Sequence, residues 1–334
     1  DFLQIKHVIP CGNGTDALQI ALMALDLPEG AEVIVPAFNY VATAEVIALL
    51  KLKPVFADVL PNTFTLDVAS AKEKITDKTA AIMPVHLFGQ CADMDAVMAL
   101  AKEHDLYVIE DNAQAIGAKY ISGSGEKATA GGIGHIGTTS FFPSKNLGCM
   151  GDGGAIFTND DALANKLQTI ANHGQAKKYV FSTIGVNSRL DTLQAAILRV
   201  KLQHLGQYIE SRQKAASVYD EFFKDAEHIQ TPVRAPYSTH VFHQYTLKVP
   251  ALLRDALKLH LQEKGIPSMV YYPIPLHLQE AYQYLGYKKG DFPVSEALCE
   301  QVLSLPMHTE LSHDQQQFIS ETVLSFLKKQ AVSV

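Results

Sequence analysis

Short apolar runs alternate with amphipathic helical stretches through the first half of the chain, and this alternation limits the possible folds more than any other feature. The runs are Val33 to Pro36, Pro54 to Asp58, Ala81 to His86, Tyr107 to Asp111, Thr138 to Phe142 and Ala155 to Thr158. Most are β-branched or aromatic and too short for helices. Between them, Ala17 to Leu25, Ala42 to Leu50, Asp93 to His104 and Asp160 to Asn172 space their apolar residues by three and four, with acidic residues near the start. Such alternation predicts βαβ units around a mostly parallel sheet, an α/β fold.

The second half reads differently. Helical periodicity continues from Asp191 to about Phe223, with Leu193, Ile197, Val200 and Leu205 on one side, as in a helix connecting two domains. A proline-containing stretch, Thr231 to Tyr237, leads to a predicted strand (Gln244 to Val249), helix (Leu252 to Lys264), strand (Ser268 to Tyr272) and terminal helices. At ~150 residues per domain, 334 residues suggest two domains. The expected division is a large domain over 1–205, then the connecting helix and a small C-terminal α/β domain over 206–334. Asp1 to Lys6 reads as the tail of an amphipathic helix, so an N-terminal segment is expected to precede it.

Charge and cysteine usage exclude several function classes. The chain has 28 Lys plus Arg against 35 Asp plus Glu, a net charge of −7, and no basic stripe, which disfavours nucleic-acid and anionic-membrane binding. No apolar run approaches the ~18 residues of a membrane span. Cys11, Cys91, Cys149 and Cys299 form no CxxC pair, so neither a disulfide framework nor a zinc site is signalled, and a cytoplasmic location is expected.

Several motifs tempt and fail. Gly132-Ile133-Gly134-His135-Ile136-Gly137 fits GxGxxG, but a Gly/Ala loop precedes it and a β-branched run follows, the reverse of a dinucleotide fingerprint. Ser124-Gly125-Glu126-Lys127 lacks P-loop spacing. The 13 histidines show neither HxH nor HExxH, so no metal is expected. Cys149 reads as a small buried residue.

Three other segments carry chemistry. Gly12-Asn13-Gly14-Thr15-Asp16 lies between a strand-like run and a helix, where backbone amides and a hydroxyl can hold an anion; it also reads as a glycine turn with a capping Thr or Asp. Glu110-Asp111 ends a strand, placing Asp111 at the carboxyl edge of a parallel sheet, where open α/β sheets bind ligands. Ser140-Phe141-Phe142-Pro143-Ser144-Lys145 delivers a lysine from a buried strand into a glycine-rich loop, which is costly unless the ammonium is neutralised or covalently used. A phosphate cradle, a carboxylate for a pyridinium nitrogen and a lysine for an aldehyde are together what a protein must supply to pyridoxal 5'-phosphate.

The segments GNGTDAL, PAFNYVATAEV, PVHLFGQ, IEDNAQAIGA, SFFPSKNLGCMGDGGA, GVNSRLDTLQAA and YYPIPLHLQ make the whole chain resemble the DegT/StrS group of nucleotide-sugar aminotransferases. The resemblance implies the aspartate-aminotransferase-like fold, a homodimer with shared active sites, and no membrane or nucleic-acid partner. It makes Lys145 the covalent anchor and acid/base, Asp111 the pyridine-nitrogen partner, and Gln114 the neighbour of the cofactor's phenolic oxygen. Tyr40 would stack on the ring. Thr15, Asp16 through its backbone, and Ser140 would hold the phosphate, with Asn187 reaching in from the other subunit.

Arg189, Tyr272 and His277 are the implied substrate residues. Asn112 departs from the small residue common after the aspartate. The wording around Asn187 to Ala196 is similar to the branch that aminates C3, implying an amino-acid donor such as L-glutamate and UDP-2-acetamido-2-deoxy-3-oxo-glucuronate as acceptor, in surface polysaccharide biosynthesis. Acceptance of a 3-keto or 4-keto 6-deoxy sugar, sugar dehydration and a regulatory role stay open.

Overall fold

The computed structural model describes residues 1–331; the end of the expected small domain, 332–334, lies outside them. The first half holds β1 (His7–Cys11), α1 (Gly14–Ala24), β2 (Glu32–Pro36), α2 (Ala42–Leu49), β3 (Lys53–Ala57), α3 (Val68–Glu73), β4 (Thr79–Ile82), α4 (Met94–Glu103) and β5 (Tyr107–Asp111). A hairpin, β6 (Lys119–Ile121) and β7 (Lys127–Thr129), precedes β8 (Ile136–Ser140), β9 (Gly154–Thr158) and α5 (Asp161–Ala171). The predicted strands and helices are all present, with ends moved by a few residues. Ala81 to His86 shortens most: Pro84 has no N–H to give the ladder, and beyond β4 only Val85 bridges Asp111.

Seven strands form one sheet in the order β1-β9-β8-β5-β4-β2-β3. Only β9 runs against its neighbours β8 and β1. The carboxyl ends of β1, β5 and β8 therefore open on one edge, bringing Gly12, Asp111 and Ser140 to the same side. Alternation along the strands divides the core: Val33 and Val35 pack into one cluster, Ile34 into another. Aspartates start the helices, with Asp93 accepting from Ala96 N–H and Asp160 from Leu163 N–H.

Beyond α5 come a small hairpin, β10 (Gln175–Lys177) and β11 (Val180–Phe181), then α6 (Thr192–Leu202) and α7 (Leu205–Phe223). The single helix expected over Asp191 to Phe223 is thus broken at Gln203-His204. Tertiary packing breaks it: Leu205 and Leu198 enter one cluster with Ile116, Phe141 and Phe157, while Leu193 and Val200 stay exposed. The rest comprises β12 (Tyr245–Lys248), α8 (Ala251–Glu263), α9 (Pro293–Gln301), β13 (Val302–Leu305) and α10 (His313–Ala331). Tyr219, Phe223, Tyr245, Leu257, Leu303 and Val323 share a core of their own.

Two further expectations are corrected. Ser268 to Tyr272 is not a strand; Met269 makes one bridge to Ser304, and Pro267 and Pro273 remove donors on either side. Asp1 to Lys6 is a turn, closed by the Gln4 N–H donating to the Asp1 carbonyl, with Ile5 drawn into the Leu205 cluster.

Candidate active site

The cradle begins where β1 meets α1. Asn13, not Thr15 or Asp16, caps the helix: its side-chain oxygen accepts the Asp16 N–H at 2.8 Å. The Asp16 N–H, expected to hold a phosphate, is thus engaged by this cap. The Gly14 and Thr15 amides and the Thr15 hydroxyl have none among the described residues, so a helix N-terminus with open donors is available to an anion. Ser140 closes the other side. A Cβ on Gly14 would fall 2.7 Å from the Ser140 Cβ, so only glycine lets the end of β8 approach the first turn of α1 this closely.

Asp111 is buried at the end of β5. Its Oδ1 accepts the Ala113 N–H at 3.0 Å. Burial raises its pKa above the ordinary carboxylate value, against the pull of that N–H, of Lys145 and of His86. Burial also lowers the pKa of the half-buried Lys145, opposed by the attraction of Asp111. The structure thus brings the two residues into each other's field: an amine that gives up its proton more readily than an exposed lysine, and a carboxyl poised for a cationic partner.

Gln114 is oriented from both ends of its amide. Its Oε1 accepts the Phe88 N–H at 2.7 Å, and its Nε2 donates to the Tyr272 hydroxyl at 3.1 Å. The Tyr40 ring lies 6.1 Å from Tyr272 and is over half exposed, open to stack on a planar ligand. Asn112 is accommodated by donating from Nδ2 to the Ala130 carbonyl at 2.9 Å. His277 is not brought into this group. It is buried, with Nε2 3.1 Å from Glu296 Oε1 and its ring against Phe292. Asn187 and Arg189 are exposed and contact neither Lys145 nor Asp111 among the described residues.

Several contributors escaped the sequence reading. Glu110 points to the opposite face from Asp111 and is fully buried, where it accepts N–H groups from Gly131, Ile133 and Gly134 at 2.8, 2.7 and 2.6 Å. The glycine-rich loop that mimicked a dinucleotide fingerprint does wrap an anion, and the anion is this chain's own Glu110. His86 Nε2 lies 2.8 Å from the same carboxylate, and its Nδ1 accepts the Ala92 N–H at 3.1 Å, which puts the ring proton on Nε2. The His86 N–H donates to the Asp111 carbonyl at 3.0 Å, so this buried pair grips the backbone of the residue beside it. Two adjacent acids ending a period-2 strand were the available signal. Cys149 is buried as expected, its Sγ 3.1 Å from the Phe141 carbonyl. No group of three or more His, Cys, Asp or Glu could hold a metal, and no helix is long and apolar enough to cross a membrane, among the described residues.

Comparison with known proteins agrees with this geometry. Residues 1–324 match the DegT/DnrJ/EryC1/StrS aminotransferase family. The chain is 49% identical over 329 residues to a pleiotropic regulatory protein of Geobacillus stearothermophilus, covering 98% of this chain and 87% of the relative. It is 48% identical to UDP-2-acetamido-2-deoxy-3-oxo-D-glucuronate aminotransferase of Pseudomonas aeruginosa, covering 93% and 84%. A UDP-N-acetyl-3-dehydro-alpha-D-glucosamine 3-aminotransferase of Acidithiobacillus ferrooxidans is 46% identical, covering 93% and 82%. Among solved structures, a Brucella abortus aminotransferase superposes with TM-score 0.89 at 42% identity, covering 97% and 87% of the two chains. A Bacillus subtilis structure with bound cofactor PMP gives 0.89 at 32%, covering 98% and 74%. With the family match running over nearly the whole chain, this protein belongs to the DegT/DnrJ/EryC1/StrS aminotransferase family.

Proposed function

We propose that this protein uses pyridoxal 5'-phosphate to transfer an amino group from an amino acid, L-glutamate by preference, to the 3-keto carbon of a nucleotide-linked sugar. The carrying observation is the convergence of a half-buried, pKa-lowered Lys145 with Asp111 on the sheet edge, beside the open amides of α1 and Ser140. When bound, the cofactor supplies the electron sink for proton loss at the amine-bearing carbon.

The chain's residues do the rest. Lys145 Nζ anchors the cofactor and then carries a proton between donor and acceptor atoms. Asp111 holds a proton at the pyridine nitrogen. Gly14, Thr15 and Ser140 bind the phosphate, Tyr40 covers the ring, and Gln114 fixes its phenolic side while being held itself by Phe88 and Tyr272. Asn187 completes the phosphate site of a partner subunit in a homodimer. The exposed Tyr179, Val180, Phe181 and Ile184 beside it support that reading, because such an apolar patch is uncommon on a monomer. The two-domain division, a cytoplasmic location and a role in surface polysaccharide synthesis belong to the same proposal.

The acceptor we favour is UDP-2-acetamido-2-deoxy-3-oxo-glucuronate. The two enzyme relatives named above, at 48% and 46% identity, act on 3-keto acetamido sugars that differ in the uronate carboxylate. Arg189 can grip that carboxylate through two parallel hydrogen bonds, which a neutral sugar cannot offer. The Geobacillus relative's name favours a regulatory role as the second reading. A panel of 3-keto and 4-keto nucleotide sugars with glutamate as donor decides between them. Turnover of the 3-keto uronate above its neutral analogue supports the proposal. Equal turnover of the two removes the Arg189 argument, and no turnover of any sugar favours regulation.

A further inference from the structure

Ser188 sits between Asn187 and Arg189 but faces the other way. It is 3% exposed, whereas its two neighbours are open to solvent. Its Oγ accepts the Gly12 N–H at 2.8 Å and donates to Asp16 Oδ2 at 2.6 Å. The fit is close: a Cβ on Gly12 would stand 2.9 Å from Asp16 Oδ2 and 3.3 Å from Ser188 Oγ. On its other side, the Ser188 N–H donates to the Ala171 carbonyl at 3.1 Å and Asn187 bridges Asn172. One loop is therefore pinned to the end of α5 and to the cradle turn.

The Asp16 carboxylate creates a problem that this hydroxyl can solve. An acid in the first turn of α1 suits the helix dipole. The same charge repels a phosphate dianion arriving at the same helix end, the more so as water is excluded. A hydroxyl donating to a carboxylate makes a strong charge-assisted bond, and here that bond holds one Asp16 oxygen on the side of the 188 loop.

We propose that Ser188 is a positioning residue tying two binding functions together: its hydroxyl restrains the Asp16 carboxylate beside the phosphate cradle and fixes the loop that presents Asn187 and Arg189. Cofactor phosphate affinity and sugar-charge discrimination are then set by one side chain. The inference rests on the transaminase reading, in which the cradle takes the phosphate and Arg189 the sugar carboxylate.

The test compares Ser188→Ala with Thr15→Ala and Arg189→Ala. Apoproteins are titrated by equilibrium dialysis with pyridoxal phosphate and with pyridoxal, which lacks the phosphate. The loaded enzymes are assayed for the kcat/KM ratio between a 3-keto uronate and its neutral analogue. Ser188→Ala is expected to bind pyridoxal phosphate about tenfold more weakly, and pyridoxal within about twofold of wild type. Its sugar ratio should fall toward that of Arg189→Ala. Adding Asp16→Asn to Ser188→Ala should recover the phosphate affinity and leave the sugar ratio low, a split that general unfolding cannot produce. Undiminished pyridoxal phosphate affinity in Ser188→Ala, or an unchanged sugar ratio, overturns the tie. Should Thr15→Ala keep full phosphate affinity or Arg189→Ala its sugar ratio, the underlying site reading has failed, and the tie falls with it.

Discussion

Glu110→Gln should destabilise the fold far more than an ordinary isosteric change, because the buried carboxylate accepts from four donors. One oxygen takes the Ile133 and Gly134 N–H groups, and the other takes Gly131 N–H and His86 Nε2. A glutamine has one acceptor oxygen and one donor nitrogen, so in either amide orientation one pair of donors faces an NH2 group. Two buried donors left unpaired at about 1–3 kcal/mol each give about 2–6 kcal/mol. Breaking a buried charge interaction from one side gives about 3–5 kcal/mol by an independent route. Urea unfolding of wild type and variant, followed by far-UV circular dichroism, measures the difference. The same variant should weaken cofactor binding as well, since His86, whose backbone N–H bonds the Asp111 carbonyl, loses its side-chain anchor. A loss below about 1 kcal/mol would show that water or loop relaxation replaces these bonds, and the account of the glycine loop as an internal anion nest would be wrong.

Other expectations follow from the same geometry. Lys145→Ala should lose both the visible absorbance of bound cofactor and transamination; retained absorbance would mean another residue is the anchor. Asp111→Asn should keep cofactor but transfer about 10²–10⁴-fold more slowly, and near-wild-type rates would reduce Asp111 to a cap. In cofactor-free protein, the lowered Lys145 pKa means that the unfolded chain binds the extra proton between that value and 10.5, so stability rises with pH across that window. The raised Asp111 pKa has the opposite sign: the folded chain binds the extra proton from 3.8 upward, so stability falls as pH climbs to the raised value. Urea midpoints at stepped pH should lose the first slope in Lys145→Met and the second in Asp111→Asn. If Asn187 completes a partner's site, cofactor affinity should fall on dilution below the dimer dissociation constant, and sedimentation with dialysis at matched concentrations checks this.

What could be read from the sequence was local, and what could not was set by contacts distant in the chain. Asp111 and Lys145 were legible because each ends or follows an apolar strand, and a charged residue in that setting needs a purpose whatever the rest of the chain does. The Asn13 cap was missed though it lies in the same five residues, since Asn, Thr and Asp all cap well and only the backbone at Asn13 selects among them. The Glu110–His86 pair spans 24 residues of sequence and the Ser188–Asp16 bond 172, so no periodicity could announce either.

The helix over Asp191 to Phe223 failed for a related reason. Its periodicity puts Leu193, Ile197, Val200 and Leu205 on one side of a single connecting helix, but Leu205, with Leu198, enters the core while Leu193 and Val200 do not. Periodicity reports that a face is apolar, not which surface covers it. Tyr179, Val180, Phe181 and Ile184 are likewise exposed on the segment leading to Asn187, so if the proposed homodimer forms, these side chains and the outward part of the α6 stripe are the surfaces it should cover, and cross-linking or solvent-exchange protection there checks it.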